Sequence, residues 1–482
     1  MKSSLTLGAL GAAAMLLGQF GFMDNVHAAG RSVSESPTPV SVLTAEDINQ
    51  IVDMRVEQRV QEILGPQATP PPSSDLFNTP QMGQTSQSPI RGVEQKKIEG
   101  VDWVTGGSVL QGGRTIYAKP FVRAPKTIVG GYMDFTITDC NGATRDCARG
   151  LEFDQERFVP FFYSQVTDRM SVGAEVEIEH GGPQGNQGDG DIKIEFATMD
   201  YRFTDWMNFR GGIILVPVGR FNLIHDSPLN DLPLRPMVSR LIIPSTFAES
   251  GLGIFGTVYP TALAKVDYEF YITQGFDGGT GNTISEGSGL RSSRGSLKDD
   301  NNENKAIVSR VSVSPILGIE VAGSVHHSKY DDNSNHNITI WALDGLLQRG
   351  PFEIMGEAAW TRIGGGNSNP AAGTPPNKMS GYYVQANYHF MPEFLKQLAP
   401  THFSDASTFT AIARWGQVDT NTQSSTNANE VDRLTLGVNF RPVEDSVVKF
   451  AYTFNDHNKS GVGSPSDPGA ANGWQFSLAT YF

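Results

Sequence analysis

The mature part of this 482-residue chain has no long apolar run. Nothing beyond residue 28 approaches the roughly 18 consecutive apolar residues of a membrane-crossing helix, which excludes a helical membrane protein. Cysteine is nearly missing. Cys140 and Cys147 are the only two, and they lie in a polar stretch without CxxC or HxxxH spacing, so a zinc site has no support. Positive charge is short: 37 Lys and Arg against 51 Asp and Glu give a net charge of −14, which argues against nucleic acid as a partner. No glycine loop of the phosphate-cradling kind stands at a strand–helix junction, and no cofactor or metal is expected. Hydrophobic residues make up 39% and charged residues 18%, modest for a protein destined for lipid unless only alternate residues meet it.

Met1–Phe22 carries Lys2 and then an apolar stretch of Leu, Ala and Gly, followed by Val26-His27-Ala28. This reads as a secretory signal peptide over residues 1–28, cut after Ala28. A signal anchor is the weaker reading, because the stretch is short and broken by Gln19. Export exposes the chain to an oxidising compartment, so a local disulfide between Cys140 and Cys147 is expected in a surface loop. Residues 29–64 form an N-terminal segment. Within it Thr44–Leu64 shows a helical stripe of Ile48, Val52, Val56, Val60 and Leu64, closed by Gly65-Pro66. Alone it is marginal; the readings are a small periplasmic trimer coil, a helix packed on the barrel mouth, or simple fraying. Residues 65–125 begin as a linker rich in Pro, Ser, Gln and Thr, and continue as a plug, a rim strand or more linker.

From Lys126 to Phe482 apolar and polar residues alternate persistently. About sixteen such segments, from Thr127–Thr138 to Gly473–Phe482, have the roughly 9–13 residues of tilted strands crossing a bilayer. Their connections mostly alternate long and short. Short turns fall near Thr204-Asp205, Pro260 and Arg349-Gly350; long polar loops include Asp139–Gly150, Gly219–Ser250 and Gly275–Asn304. Met391–Ala406 is longer than the pattern wants. The expected fold is all-β: a transmembrane antiparallel β-barrel of about sixteen strands over 126–482, with a short N-terminal periplasmic helix. Aromatics such as Phe161, Phe162, Tyr163, Phe203 and Trp206 toward the turns, and Trp360, Trp415 and Trp474 toward the loops, suggest interfacial girdles. The chain ends on an alternating strand with Trp474, Phe476, Leu478 and Phe482 on one face. An aromatic last residue there resembles the signal read by the barrel-assembly machinery of the bacterial outer membrane.

Several runs resemble the phosphate-selective porin O/P family: Gly130-Gly131-Tyr132-Met133-Asp134-Phe135, Phe153–Pro160, Ala174–Gly182, Asn208-Phe209-Arg210-Gly211-Gly212 and Val216–Pro228. The resemblance implies a sixteen-strand porin, homotrimeric, set in outer-membrane lipid and passing small polar or ionic solutes. The arginine ladder and lysine cluster of family phosphate channels have no matching runs here.

A barrel of this size leaves an aqueous lumen that a loop must narrow. The third external loop, Gly219–Ser250, is the candidate constriction, with Arg220, His225, Asp226, Asp231, Arg235, Arg240 and Glu249, stiffened by Pro228, Pro233, Pro236 and Pro244. A subunit-docking or surface loop is the other reading. Strand parity assigns the pore wall: Glu175, Glu177, Glu179, Asp191 and Glu195 with Lys193; Lys265 with Asp267 and Glu269; Arg210, Arg310, Arg414, Arg433, Arg441 and Lys449. Acids and bases fall on different arcs, which would set a transverse field across the pore. His326-His327-Ser328 resembles the active-site spacing of outer-membrane phospholipase, but parity turns His326 and Ser328 away from lipid. The competing functional class is a structural or adhesive protein tethering the envelope through its N-terminal helix.

Overall fold

The computed structural model describes residues 127–482, apart from 142–149, 184–189, 205, 279–283, 369, 371–373, 426–428 and 458–471. The expected signal peptide, the N-terminal segment with its helix, the linker and Cys147 therefore lie outside the described residues.

Strands β1 (Thr127–Cys140), β2 (Gly150–Gln165), β3 (Met170–Glu179), β4 (Asp191–Arg202), β5 (Asn208–Leu215), β6 (Ala248–Val258), β7 (Lys265–Thr273) and β8 (Ala306–Ser314) form the first half of the sheet. The second half is β9 (Ile319–Lys329), β10 (Asn337–Arg349), β11 (Phe352–Ile363), β12 (Lys378–Phe390), β13 (Thr408–Asp419), β14 (Glu430–Val443), β15 (Ser446–His457) and β16 (Gly473–Tyr481). Each strand pairs with its sequence neighbours, and β16 returns antiparallel to β1, so the sheet closes into a sixteen-strand barrel. The expected sixteen-strand antiparallel barrel is met. A helix, α1 (Val238–Leu241), lies in the connection from β5 to β6, and another, α2 (Glu393–Leu398), accounts for the over-long turn between β12 and β13.

Alternation decides which side chains face out. Large apolar residues ring the exterior, among them Leu252, Ile254, Val321, Leu343, Ile354, Leu436 and Phe450, all substantially exposed. A ring of exposed large apolar side chains of this kind is foreign to a water-soluble monomer and matches the lipid-facing band of a membrane barrel. Trp341, Trp360, Trp415 and Trp474 face out toward the loop end, and Phe162, Phe203 and Trp206 face out toward the turn end. Phe161 and Tyr163 do not join them. Both point inward and pack with Tyr132, Val159, Phe196 and Tyr481 in an interior aromatic cluster. Parity separates them from Phe162; aromatic enrichment near a strand end does not.

The β1–β16 seam runs through Tyr132↔Tyr481 and Phe135↔Leu478. Past β16, the Phe482 N–H donates to Gly131 O at 2.9 Å and its carbonyl accepts from the Gly131 N–H at 3.1 Å. The Phe482 ring stacks on Phe158, centroids 5.6 Å apart. Gly131 makes room for this approach: a Cβ there would lie 2.5 Å from Val159 O and 2.6 Å from Phe482 Cζ. We predict that Gly131→Val destabilises the folded barrel by about 1–3 kcal/mol through overpacking. Denaturant titration of the protein refolded in detergent reads this, and an unchanged midpoint would show that the seam tolerates a side chain.

Candidate functional site

β5 is only 8 residues long, and the chain then leaves the wall for the interior. Residues 216–247 form a loop whose two ends meet. The Val216 N–H donates to Phe247 O at 2.9 Å, and Asn222 bonds Val216 O (2.8 Å), Phe247 O (3.0 Å) and Phe247 N–H (2.8 Å). A compact loop closed at its base and packed by its own side chains is ordered without strand pairing. Gly219, at φ +71°, lets the backbone pass against Glu357, whose carboxylate a Cβ would touch at 2.6 Å.

The loop is fixed to the wall by charge and hydrogen bonds on opposite sides of the barrel. On one side Arg220 pairs with Glu320 of β9 at 2.8 Å. Glu357 of β11 accepts the Phe221 N–H at 2.9 Å and the Ser239 hydroxyl at 2.7 Å. Across the lumen His225 meets Glu195 of β4 at 3.1 Å, and Asp226 accepts the Tyr481 hydroxyl of β16 at 2.9 Å. Ser227 bonds Asp134 of β1, and its carbonyl accepts Lys449 of β15 at 2.6 Å. Asp231 then enters the basic arc, where it binds Asn387 (2.8 Å), Asn439 (3.0 Å) and Arg441 (3.2 Å). Arg414 of β13 holds Leu234 O at 2.6 Å. The segment is a crossbar through the lumen.

Its apolar side chains seal one region. Val218, Met237, Val238, Ile242, Ile243 and Phe247 pack on inward residues of β7–β13 such as Tyr271, Val308, Ile340, Ala359 and Tyr383. These stretches of wall are apolar on both faces, as a strand buried on both sides must be. Loop 274–305 lies against the crossbar: the Leu290 N–H donates to Leu241 O at 2.8 Å, and Arg291 and Arg294 hold Ser245 O (2.8 Å) and Thr246 O (3.0 Å). It continues to loop 420–429, where Glu286 accepts from Asn421 at 2.6 Å and Asn429 at 2.8 Å.

The expected constriction residues are thus brought onto one segment, with one exception. Glu249 stands on β6, not in the loop, where it accepts from Thr273 and faces His326 at 3.1 Å. Arg240 lies in the last turn of α1, half-buried. Arg235 is half-buried and carries an interior Nη2 with no hydrogen bond among the described residues.

The expected wall residues other than the exposed Asp191 are buried or half-buried on the inner side of their strands, and ion pairs hold most of them. Glu177 joins Arg157 (3.0 Å) and Lys193 (2.5 Å), and Lys193 also reaches Glu179 at 3.0 Å. Glu175 lies buried beside them. Arg210 grips Asp200 through two bonds of 2.7 and 2.6 Å and lies over Phe255. Lys265 pairs with Asp267 at 3.1 Å, and Arg310 grips Asp344 at 2.6 and 2.8 Å. Arg433 donates to Asn455 at 2.7 Å. The two charged arcs exist, but Arg157 and Lys193 pair with the acidic one at short range and Asp231 enters the basic one. Burial forces this, because a charge removed from water without a partner costs several kcal/mol.

Sequence reasoning missed Glu357, Asp344, Glu320 and Asp134, the acids that anchor the loop or the wall's arginines. Their signal was a carboxylate at an inward-parity position of its strand. His326 (0% exposed) and Ser328 do face inward, as parity indicated. At the loop-end mouth, the hydrogen bond between His180 and Asp154 (2.9 Å) raises the imidazole's pKa above its ordinary value.

No protein-family model matches the chain. An uncharacterised protein of Aquifex aeolicus is 24% identical over 323 residues, covering 63% of this chain and 71% of that protein. Among solved structures, the Salmonella typhi OmpF complex with daunomycin is similar over 74% of this chain and 97% of its own, at 11% identity and TM-score 0.48. The anion-selective porin from Comamonas acidovorans is similar over 74% and 99%, at 12% identity and TM-score 0.46. The outer-membrane channel DcaP of Acinetobacter baumannii is similar over 74% and 97%, at 10% identity and TM-score 0.44.

Two outcomes follow from this geometry. Asp344→Ala strands the buried Arg310 and should cost about 3–5 kcal/mol in a denaturant titration; a loss below 1 kcal/mol would show that water reaches the guanidinium. His180 should titrate above an ordinary imidazole in a histidine NMR titration, and Asp154→Asn should return it toward that value. Because the folded pKa is raised, the pair's contribution is present at low pH and fades as pH rises through it.

Proposed function

We propose that the chain is an outer-membrane porin, a water-filled channel through which small hydrophilic solutes or ions diffuse past the crossbar, with anions the favoured class. One observation carries this reading: a closed barrel is apolar outside and charged inside, with a charge-anchored loop set across its lumen. Lipid forbids unpaired strand edges and outward charge, and it permits a polar interior. In this proposal residues 1–28 direct export, the terminal Phe482 is read by the barrel-assembly machinery, and the barrel assembles as a homotrimer in outer-membrane lipid. The likeness to phosphate-selective porins is the proposed lineage, without phosphate as the assigned solute. Arg220, Arg235 and Arg240 tune anion passage, and Cys140 and Cys147 staple the loop after β1. The proposed function involves no catalysis, since His326 and Ser328 are sealed from lipid.

The dense pairing of lumen charges favours one other reading, a closed barrel that scaffolds or adheres and does not conduct.

Planar-bilayer recording of the purified protein separates the two. Discrete open levels support the porin, and a folded but silent protein rejects it. Replacing Arg220, Arg235 and Arg240 together with Ser should raise conductance and lower anion preference several-fold, read from reversal potentials in a salt gradient. If both stay unchanged, the loop is not the constriction.

A further inference from the structure

On the outer surface of β9–β12, near the loop end, one row across the sheet carries His327, Thr339, Arg362 and Lys378, register neighbours in that order. His327, Arg362 and Lys378 are exposed. His327 Nδ1 is tied to Thr339 Oγ1 at 2.7 Å, which fixes the ring beside its neighbours. Arg362 and Lys378 stand directly opposite each other. Cross-strand partners have Cβ atoms about 5 Å apart, and like charges so placed repel. Among the described residues neither makes an ion pair or a side-chain hydrogen bond. Asp419 on β13, beside Ser380, accepts the Asn421 N–H at 2.9 Å. The outward position near the loop end of β14 is an acid, Asp432. The basic row is therefore local, on a chain whose net charge is −14.

The next row toward the turns is Val325, Trp341, Trp360 and Ser380, with Trp341 and Trp360 44% and 41% exposed. Leu343 continues the apolar surface below them, 55% exposed. Indole rings at this level mark the boundary between head groups and acyl chains. A cation row one step beyond that boundary faces the head-group layer, where phosphate oxygens accept paired N–H donors from Arg and charge from Lys.

We propose that His327, Thr339, Arg362 and Lys378 form a binding site for the phosphorylated head group of an anionic membrane lipid, whose acyl chains lie along Trp341, Trp360 and Leu343. This rests on the exterior being lipid-facing, as the proposed function requires. A bridging phosphate removes the repulsion between Arg362 and Lys378. A free anion would gain nothing from the indoles beneath, so the occupant is an amphiphile. The site lies on one sector of the barrel, which makes it a fixed lipid position and not a general attraction.

The test is native mass spectrometry of the full protein released from detergent micelles containing equal phosphatidic acid and phosphatidylcholine of matched chains. The wild type should retain phosphatidic acid preferentially. Arg362→Ala/Lys378→Ala should lower that retention roughly tenfold or more, given two lost charges at a lipid surface, while Arg362→Lys keeps most of it. Inorganic phosphate at millimolar concentration should not displace the lipid. Equal retention of both lipids by the wild type, undiminished retention by the double variant, or full displacement by inorganic phosphate overturns the proposal. Conductance of the same preparations keeps the two readings apart. A conducting protein without lipid preference rejects this site alone, and a silent protein that keeps the preference supports the site and rejects the channel alone.

Discussion

The structure depends on one constraint: a strand edge in hydrocarbon leaves a row of N–H and C=O groups with nothing to bond. Closure removes the edge. Here it is made by β16 returning to β1, extended by the Phe482–Gly131 pair, with Phe482 stacked on Phe158 outside and Tyr481 packed on Tyr132 inside. The last two residues of the chain thus serve opposite surfaces of the same seam. Once the ring is closed, the period of two assigns every other side chain to lipid, and the interior must take the rest.

What the interior does with those residues is less simple than a wet lumen. Most charged side chains on the inner wall have a partner within ion-pair distance, as Arg310 has Asp344 and Arg210 has Asp200. The crossbar uses the same rule. His225 carries a base to the acidic arc, Asp231 carries an acid to the basic one, and Arg220 finds Glu320. The loop's charges are complementary to the wall sector each one meets, so a loop without strand pairing takes one position. Its apolar side chains then complete a core with β7–β13 that excludes water from that sector. Any conducting path runs beside this seal, along the parts of the wall that keep polar surface.

The exterior shows the same economy of placement. Indoles stand where the apolar belt ends, and His327, Arg362 and Lys378 stand one row beyond them. A barrel with uniform rims would sit in any bilayer of the right thickness. One with a basic sector on β9–β12 has a preferred neighbour.

Much of the barrel was legible before folding. Alternation located the strands, because one face of each meets lipid and a misplaced register would expose charge there. Long and short connections separated the two ends, and Leu478 and Trp474 marked the outside. Inward parity also placed Glu177, Arg310 and Lys449 correctly, since it needs only local geometry. Partnership did not follow from parity. Which acid meets Arg220, or that Glu357 braces Phe221 and Ser239 across more than a hundred residues, depends on how a loop without periodicity crosses a closed space. Phe161 and Phe162 make the same point at one turn of sequence: composition treats them alike, and the pleat sends one to the core and one to lipid. The sequence alone determined the barrel, because lipid imposes a period that every strand must obey. Only the tertiary structure decided the site, because burial obliges each interior charge to find a partner and the partners come from distant strands.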